Sequence, residues 1–97
     1  MSPGTFSLTG RTALVTGGSR GIGQAIAELF ADSGAEVIIC SRKQQDLDLV
    51  AEGIRARGGK AHAIAAHVGK IDEIERLVNV LDERGLAVDV LVNNAGI

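Results

Sequence analysis

The sequence predicts an α/β fold built on a parallel sheet. Short apolar runs alternate with amphipathic stretches of helical period along the whole chain, the pattern of strands joined by crossover helices. A glycine cluster, Gly17, Gly18, Gly21 and Gly23, stands at the first strand-to-helix junction. The 97 residues are 45% hydrophobic, enough for one globular domain at the small end of the usual range.

The first apolar run, 11–16 (RTALVT), is continuous in character, as expected of a strand covered on both faces. In the segment after it, Ile22, Ala25, Ile26, Leu29 and Phe30 recur at helical spacing, and Gly34 marks a stop. The β-branched run 35–41 predicts a second strand. A second helix follows with Leu47, Val50, Ala51 and Ile54 on one face, Arg55 and Arg57 near its end, and Gly58-Gly59 closing it. A third, weaker strand is expected over 60–66. A third helix carries a stripe of Ile71, Ile74, Leu77, Val78 and Leu81, with Asp72 and Glu73 in its first turn. A fourth strand is expected at about 88–92.

The composition excludes several functions. A formal charge of -2 gives no electrostatic footprint for nucleic acid or an anionic membrane. No apolar run approaches the ~20 residues of a membrane span, and the first ten residues lack the features of a secretory signal. One cysteine, Cys40, rules out an intrachain disulfide and fits a reducing compartment, so the cytoplasm is the expected location. Cys40 lies in an apolar run and is expected as a small core residue. His62 and His67 have no third ligand at metal spacing, and no metal site is expected. There is no Tyr and no Trp.

A strand that runs into a helix N-terminus presents free N–H groups and the positive end of a dipole, and so holds an anion. In TGGSRGIG, Gly17 suits the tight turn, Gly21 leaves room for a pyrophosphate, and Gly23 lets helix pack on strand. The spacing is G-x-x-x-G-x-G, not the common dinucleotide fingerprint G-x-G-x-x-G, and no Lys-Ser or Lys-Thr follows to make a Walker loop. A plain turn without a ligand is the alternative reading.

Thr16-Gly17 followed by Gly21-Ile22-Gly23 resembles the cofactor loop of short-chain dehydrogenases/reductases, and Asn93 to Gly96 (NNAG) after the fourth strand matches a second motif of that family. The resemblance runs from Leu8 onward. It implies a partial, doubly wound Rossmann fold: a four-stranded parallel sheet in the order 3-2-1-4 with three helices. It places Gly17, Ser19, Arg20, Gly21, Ile22, Gly23, Asn94, Ala95 and Gly96 among the cofactor-binding residues.

The end of the second strand discriminates NAD from NADP. An NAD site places an acid there for the ribose hydroxyls. This chain has Ser41 and Arg42, the latter 19 residues after Gly23, with Lys43 beside them. A guanidinium grips a 2′-phosphate, so NADP(H) is the expected cofactor, with Arg20 as a second contact. A solvated helix start is the plain alternative. After the third strand most members of the family carry Asp-Val, the Asp binding the adenine amino group. Here His67 stands before Val68, so the adenine contact changes character. Ser41 to Gln45 together with His67 to Lys70 resemble the NADPH-dependent carbonyl-reductase branch.

The family's catalytic Ser and Tyr-x-x-x-Lys fall downstream of Asn93–Gly96, so no catalytic residue is assigned in this chain. Residues 1–97 are expected to be the N-terminal nucleotide-binding portion of a Rossmann domain, truncated before the catalytic half and inactive alone. The family implies hydride transfer between NADP(H) and a small carbonyl or alcohol substrate. Partner expectations are no nucleic acid, no membrane, and either a homo-oligomer or association with the missing C-terminal half, because the fourth strand would be an open edge. A stand-alone, non-catalytic nucleotide-binding or scaffold module is the alternative.

Overall fold

The computed structural model describes residues 7–94. Seven elements alternate: β1 (Thr12–Thr16), α1 (Gly21–Asp32), β2 (Glu36–Ser41), α2 (Gln44–Ala56), β3 (Lys60–Ala65), α3 (Ile71–Glu83) and β4 (Val90–Asn93). The strands form one sheet in the order β3-β2-β1-β4, and every neighbouring pair is parallel. This is the partial Rossmann arrangement that the motifs imply. The register aligns Val15 with both Ile39 and Val92, and Ile39 with Ala63, so alternate residues of all four strands share one face.

One face of the sheet carries Val15, Val37 and Ile39 and is covered by α1 and α2. Leu47, Val50, Ala51 and Ile54 are all buried there, so the helical period of α2 matches the sequence. Full burial of a Leu or Ile side chain is worth roughly 1.5–3 kcal/mol. The exposed ion pairs of Arg57 with Asp32 and Glu28, which tie α2 to α1, belong to a class worth about 0–1 kcal/mol. Packing holds α2 in place.

Helix α1 presents a different face from the one the apolar stripe predicts. Gly23, Ala27 and Ala31 are its buried residues, with Ile26 and Phe30 packed at the flank. Ile22 is 65% and Leu29 51% exposed. The physical reason is distance: three small residues at i, i+4 and i+8 let the helix axis lie close to the strands, and the larger side chains rotate outward.

The opposite face carries Leu14, Ile38, Cys40 and Ile64 and is covered by α3 through Leu77 and Leu81. Only part of the predicted α3 stripe is used. Ile71, Ile74 and Val78 are 76%, 40% and 56% exposed, and Leu91 of the edge strand β4 is 63% exposed. Among the described residues no helix is long and apolar enough to cross a membrane.

Candidate functional site

The parallel strands all end on the same edge of the sheet, and the loops that leave them enclose a cleft of about 1000 Å3. Its walls come from the loop after β1 (Gly17, Ser19, Arg20, Gly21, Ile22), the end of β2 (Ser41, Arg42), the loop after β3 (His67, Val68) and Asn94 after β4. The cleft lies at the carboxyl ends of the strands, beside the point where the order turns from β1 back to β4, where open α/β sheets bind ligands.

Each segment has a local cause. The glycine loop folds toward β2 because Gly17 N–H donates to the Cys40 carbonyl at 2.7 Å. Gly21 then opens α1 with a φ of +61°, which side chains bearing a Cβ rarely adopt. Arg20, the residue before it, is extended and provides no side-chain cap, and the first turn of α1 holds no acid. The first turns of α2 and α3, by contrast, hold Asp46 and Asp72-Glu73. The N–H groups that start α1 are thus uncapped by any side chain, at a positive dipole end lining the cleft.

Gly23 does not line the cleft. It sits behind the loop, where an added Cβ would lie 2.1 Å from the Gly17 carbonyl oxygen and 2.7 Å from Asn94 Nδ2. Its role is to bring α1 against the loop and β4. The two sequence motifs, about seventy residues apart, meet there. Thr16 Oγ1 donates to Asn93 Oδ1 (3.0 Å) and accepts the Asn94 N–H (2.9 Å), and Asn94 Nδ2 reaches the Gly17 carbonyl at 3.4 Å. Ala95 and Gly96 lie outside the described residues.

Three of the arginines are committed elsewhere in the fold, and three other cationic side chains stand at the cleft. Arg55 is committed to the Ala61 carbonyl, Arg57 to Asp32 and Glu28, and Arg76 to Glu73 and the Ala65 carbonyl. Arg20, Arg42 and Lys43 all line the cleft and make no ion pair among the described residues. Ser41 Oγ, at the end of β2, is the buried side-chain polar atom left without a partner among the described residues. A phosphate or ribose oxygen beside Ser41 and Arg42 would satisfy it. The glycine turn, the uncapped N–H groups, the uncommitted cations and this hydroxyl form a donor set suited to a phosphorylated nucleotide.

Asp46, Ala66 and Gly69 line the cleft without any motif in the sequence to mark them, and Cys40, expected in the core, also borders the cleft. Cys40 remains a core residue. Burial pushes its thiol pKa up, and Sγ faces the Ala66 carbonyl at 3.8 Å, so it is held as a thiol and not a nucleophile. No cluster of His, Cys, Asp or Glu suited to a metal ion occurs among the described residues.

The loop after β3 is pinned from α3. Glu73 accepts the His67 N–H at 3.3 Å, and Arg76 bonds both Glu73 and the Ala65 carbonyl. The Arg76 hydrogen bond, then the His67 N–H, lower the Glu73 pKa below the ordinary glutamate range. A depressed folded-state pKa means stability that is present above the ordinary range and lost as pH falls through the folded value. Urea midpoints of the wild type and Glu73→Gln should therefore differ most at neutral pH and converge in acid. A difference that is constant with pH would contradict the pinning role.

A family model described as short chain dehydrogenase matches residues 11–97. An uncharacterized oxidoreductase of Mycobacterium tuberculosis is 43% identical over 91 residues, covering 94% of this chain and 35% of that protein. Among solved structures, the RhlG/NADP active-site complex of Pseudomonas aeruginosa superimposes with a TM-score of 0.90 at 45% identity, covering 100% of this chain and 38% of that one. A 3-oxoacyl (acyl-carrier-protein) reductase from Agrobacterium tumefaciens, with NADP bound, gives 0.85 at 41% identity, with 100% and 37% coverage. The chain thus spans about a third of the length of these relatives. Both motifs fall inside the matched span, and the sheet order and loop geometry agree with them: the chain belongs to the short-chain dehydrogenase family.

Proposed function

We propose that residues 1–97 form the NADP(H)-binding portion of a short-chain oxidoreductase of the NADPH-dependent carbonyl-reductase type. The reaction is hydride transfer between NADP(H) and a small carbonyl or alcohol substrate. One observation carries the cofactor choice: Ser41 and Arg42, a buried unpartnered hydroxyl and an uncommitted guanidinium, stand at the end of β2 where an NAD site needs an acid. The NADP complexes named above support the same reading.

In this reading NADP(H), when bound, supplies or accepts the hydride. The N–H groups at the start of α1 hold the pyrophosphate over the Gly17–Gly21 turn. Ser41, Arg42 and Arg20 hold the 2′-phosphate, His67 and Val68 flank the base, and Asn94, with Ala95 and Gly96, lines the ribose side. These residues bind and orient. None of the 97 is a tyrosine, so the proton donor of the family's chemistry is not among them and the chain alone is inactive. The open edge of β4, with Leu91 exposed beside it, supports association with a second copy or with further polypeptide; nucleic acid and membrane are not proposed as partners.

Titrating the wild type and Arg42→Asp with NADPH and NADH tests the assignment. A charge-assisted contact is worth about 1.5–3 kcal/mol, so the NADPH preference of the wild type should fall by about 10- to 100-fold in the variant. An unchanged ratio would overturn it.

A further inference from the structure

We propose that the Gln44 carboxamide, backed by Arg55 and Arg76, closes the outer edge of β3 to strand addition, so that the association proposed above is confined to β4. The edge strands of the sheet are β3 and β4. An edge strand presents a row of backbone N–H and C=O groups with which a further strand pairs. On the inner side of β3 the Ala66 N–H donates to the Ser41 carbonyl at 2.8 Å, so the backbone groups of Ala61, Ala63 and Ala65 point outward.

Side chains take these outward groups. Gln44, the first residue of α2, donates from Nε2 to the Ala63 carbonyl at 3.1 Å and accepts the Ala65 N–H on Oε1 at 3.1 Å. A residue of a parallel strand lying opposite Ile64 would make the same two bonds, to the carbonyl before it and the N–H after it. A second bond from Nε2, to Asp48 Oδ1 at 2.8 Å one helical turn on, holds the amide this way round. Turned over, its oxygen would face the Asp48 carboxylate and the Ala63 carbonyl, and its NH2 would face the Ala65 N–H. Arg55 covers the start of the edge, donating from Nε and Nη2 to the Ala61 carbonyl at 3.1 and 2.7 Å, and Arg76 covers its end at the Ala65 carbonyl. The other edge has no such cover. Thr16 of the inner neighbour β1 donates to the Val92 carbonyl of β4, the outer side of β4 receives no side-chain bond among the described residues, and Leu91 is exposed.

The test is amide hydrogen exchange read residue by residue at low and at high protein concentration, with sedimentation velocity beside it. Gln44→Met keeps the length of the side chain and removes its hydrogen bonds. In the wild type the Ala63 and Ala65 amides should exchange at the same rate at both concentrations. In Gln44→Met the Ala65 amide, short of one hydrogen bond, should exchange about 2- to 10-fold faster in dilute solution. At high concentration it should slow again as β3 pairs antiparallel with β3 of a second copy, with larger species in sedimentation than the wild type forms. A wild type whose Ala65 amide gains protection with concentration overturns the inference without any variant, and so decides the matter even if Gln44→Met does not fold. A folded Gln44→Met protein that exchanges and sediments like the wild type overturns it too, as does one that opens Ala65 without pairing through β3. Wild-type β4 amides that gain no protection with concentration count against pairing with a second copy at β4 and leave the closed β3 edge standing.

Discussion

Gly23→Ala is expected to cost the chain most of its stability. The new Cβ would lie 2.1 Å from the Gly17 carbonyl oxygen and 2.8 Å from its carbon, distances at which something must move. Neither partner has room. Gly17 is tied to the Cys40 carbonyl, and Asn94, on the far side, is held by Thr16. Overpacking typically costs about 1–3 kcal/mol, and more where the obstruction is backbone. Small domains have a margin near the lower end of about 5–15 kcal/mol. Since 1 kcal/mol moves Tm by about 4–8 °C in a domain of this size, a melt followed by circular dichroism should fall by at least about 10 °C. A variant melting within a few degrees of the wild type would show that α1 does not depend on this close approach.

Gly21→Val should do the reverse, sparing the fold and removing the ligand. An added Cβ at Gly21 meets nothing within 4 Å, so packing does not forbid it. The φ of +61° makes the substitution strained by about 1–2 kcal/mol, a visible but survivable loss. The side chain, however, would project from a residue that lines the cleft, at the point where the proposed function puts the pyrophosphate. Losing two or more charge-assisted contacts to N–H groups at about 1.5–3 kcal/mol each predicts at least a 100-fold loss of nucleotide affinity. Folded Gly21→Val protein that binds NADPH like the wild type would remove the loop from the site.

These two glycines show what could be read from sequence. The loop, the two motifs and the alternation of elements were legible because they depend on local patterns: glycine where the chain turns, β-branched residues in β2, and the period of Leu47, Val50, Ala51 and Ile54 in α2. The face of α1 was not legible, because periodicity weights large side chains. Here closeness to the sheet is set by what Gly23, Ala27 and Ala31 lack. The α3 stripe promised more burial than the described residues provide, since Ile71, Ile74 and Val78 stay exposed.

At the site, the meeting of Thr16 with Asn93 and Asn94 needed β1 and β4 to be neighbours, a fact of topology and not of spacing. The Glu73–Arg76 pin on the His67 loop was invisible for a different reason. An acid in the first turn of a helix has an ordinary explanation in the dipole, and nothing local shows that Glu73 also reaches the His67 N–H. The hydrogen bond from the Gly69 N–H to His67 Nδ1 likewise depends on the loop folding back on itself.

In the proposed function the cleft recognises a nucleotide through the phosphate on its 2′ oxygen. Calorimetric titration of the chain with adenosine 2′,5′-bisphosphate and with adenosine 5′-phosphate tests it without any catalytic step. Both ligands should bind weakly, with a preference of about tenfold or more for the bisphosphate, its extra phosphate lying against Ser41, Arg42 and Arg20. Superimposable titration curves for the two ligands would contradict it.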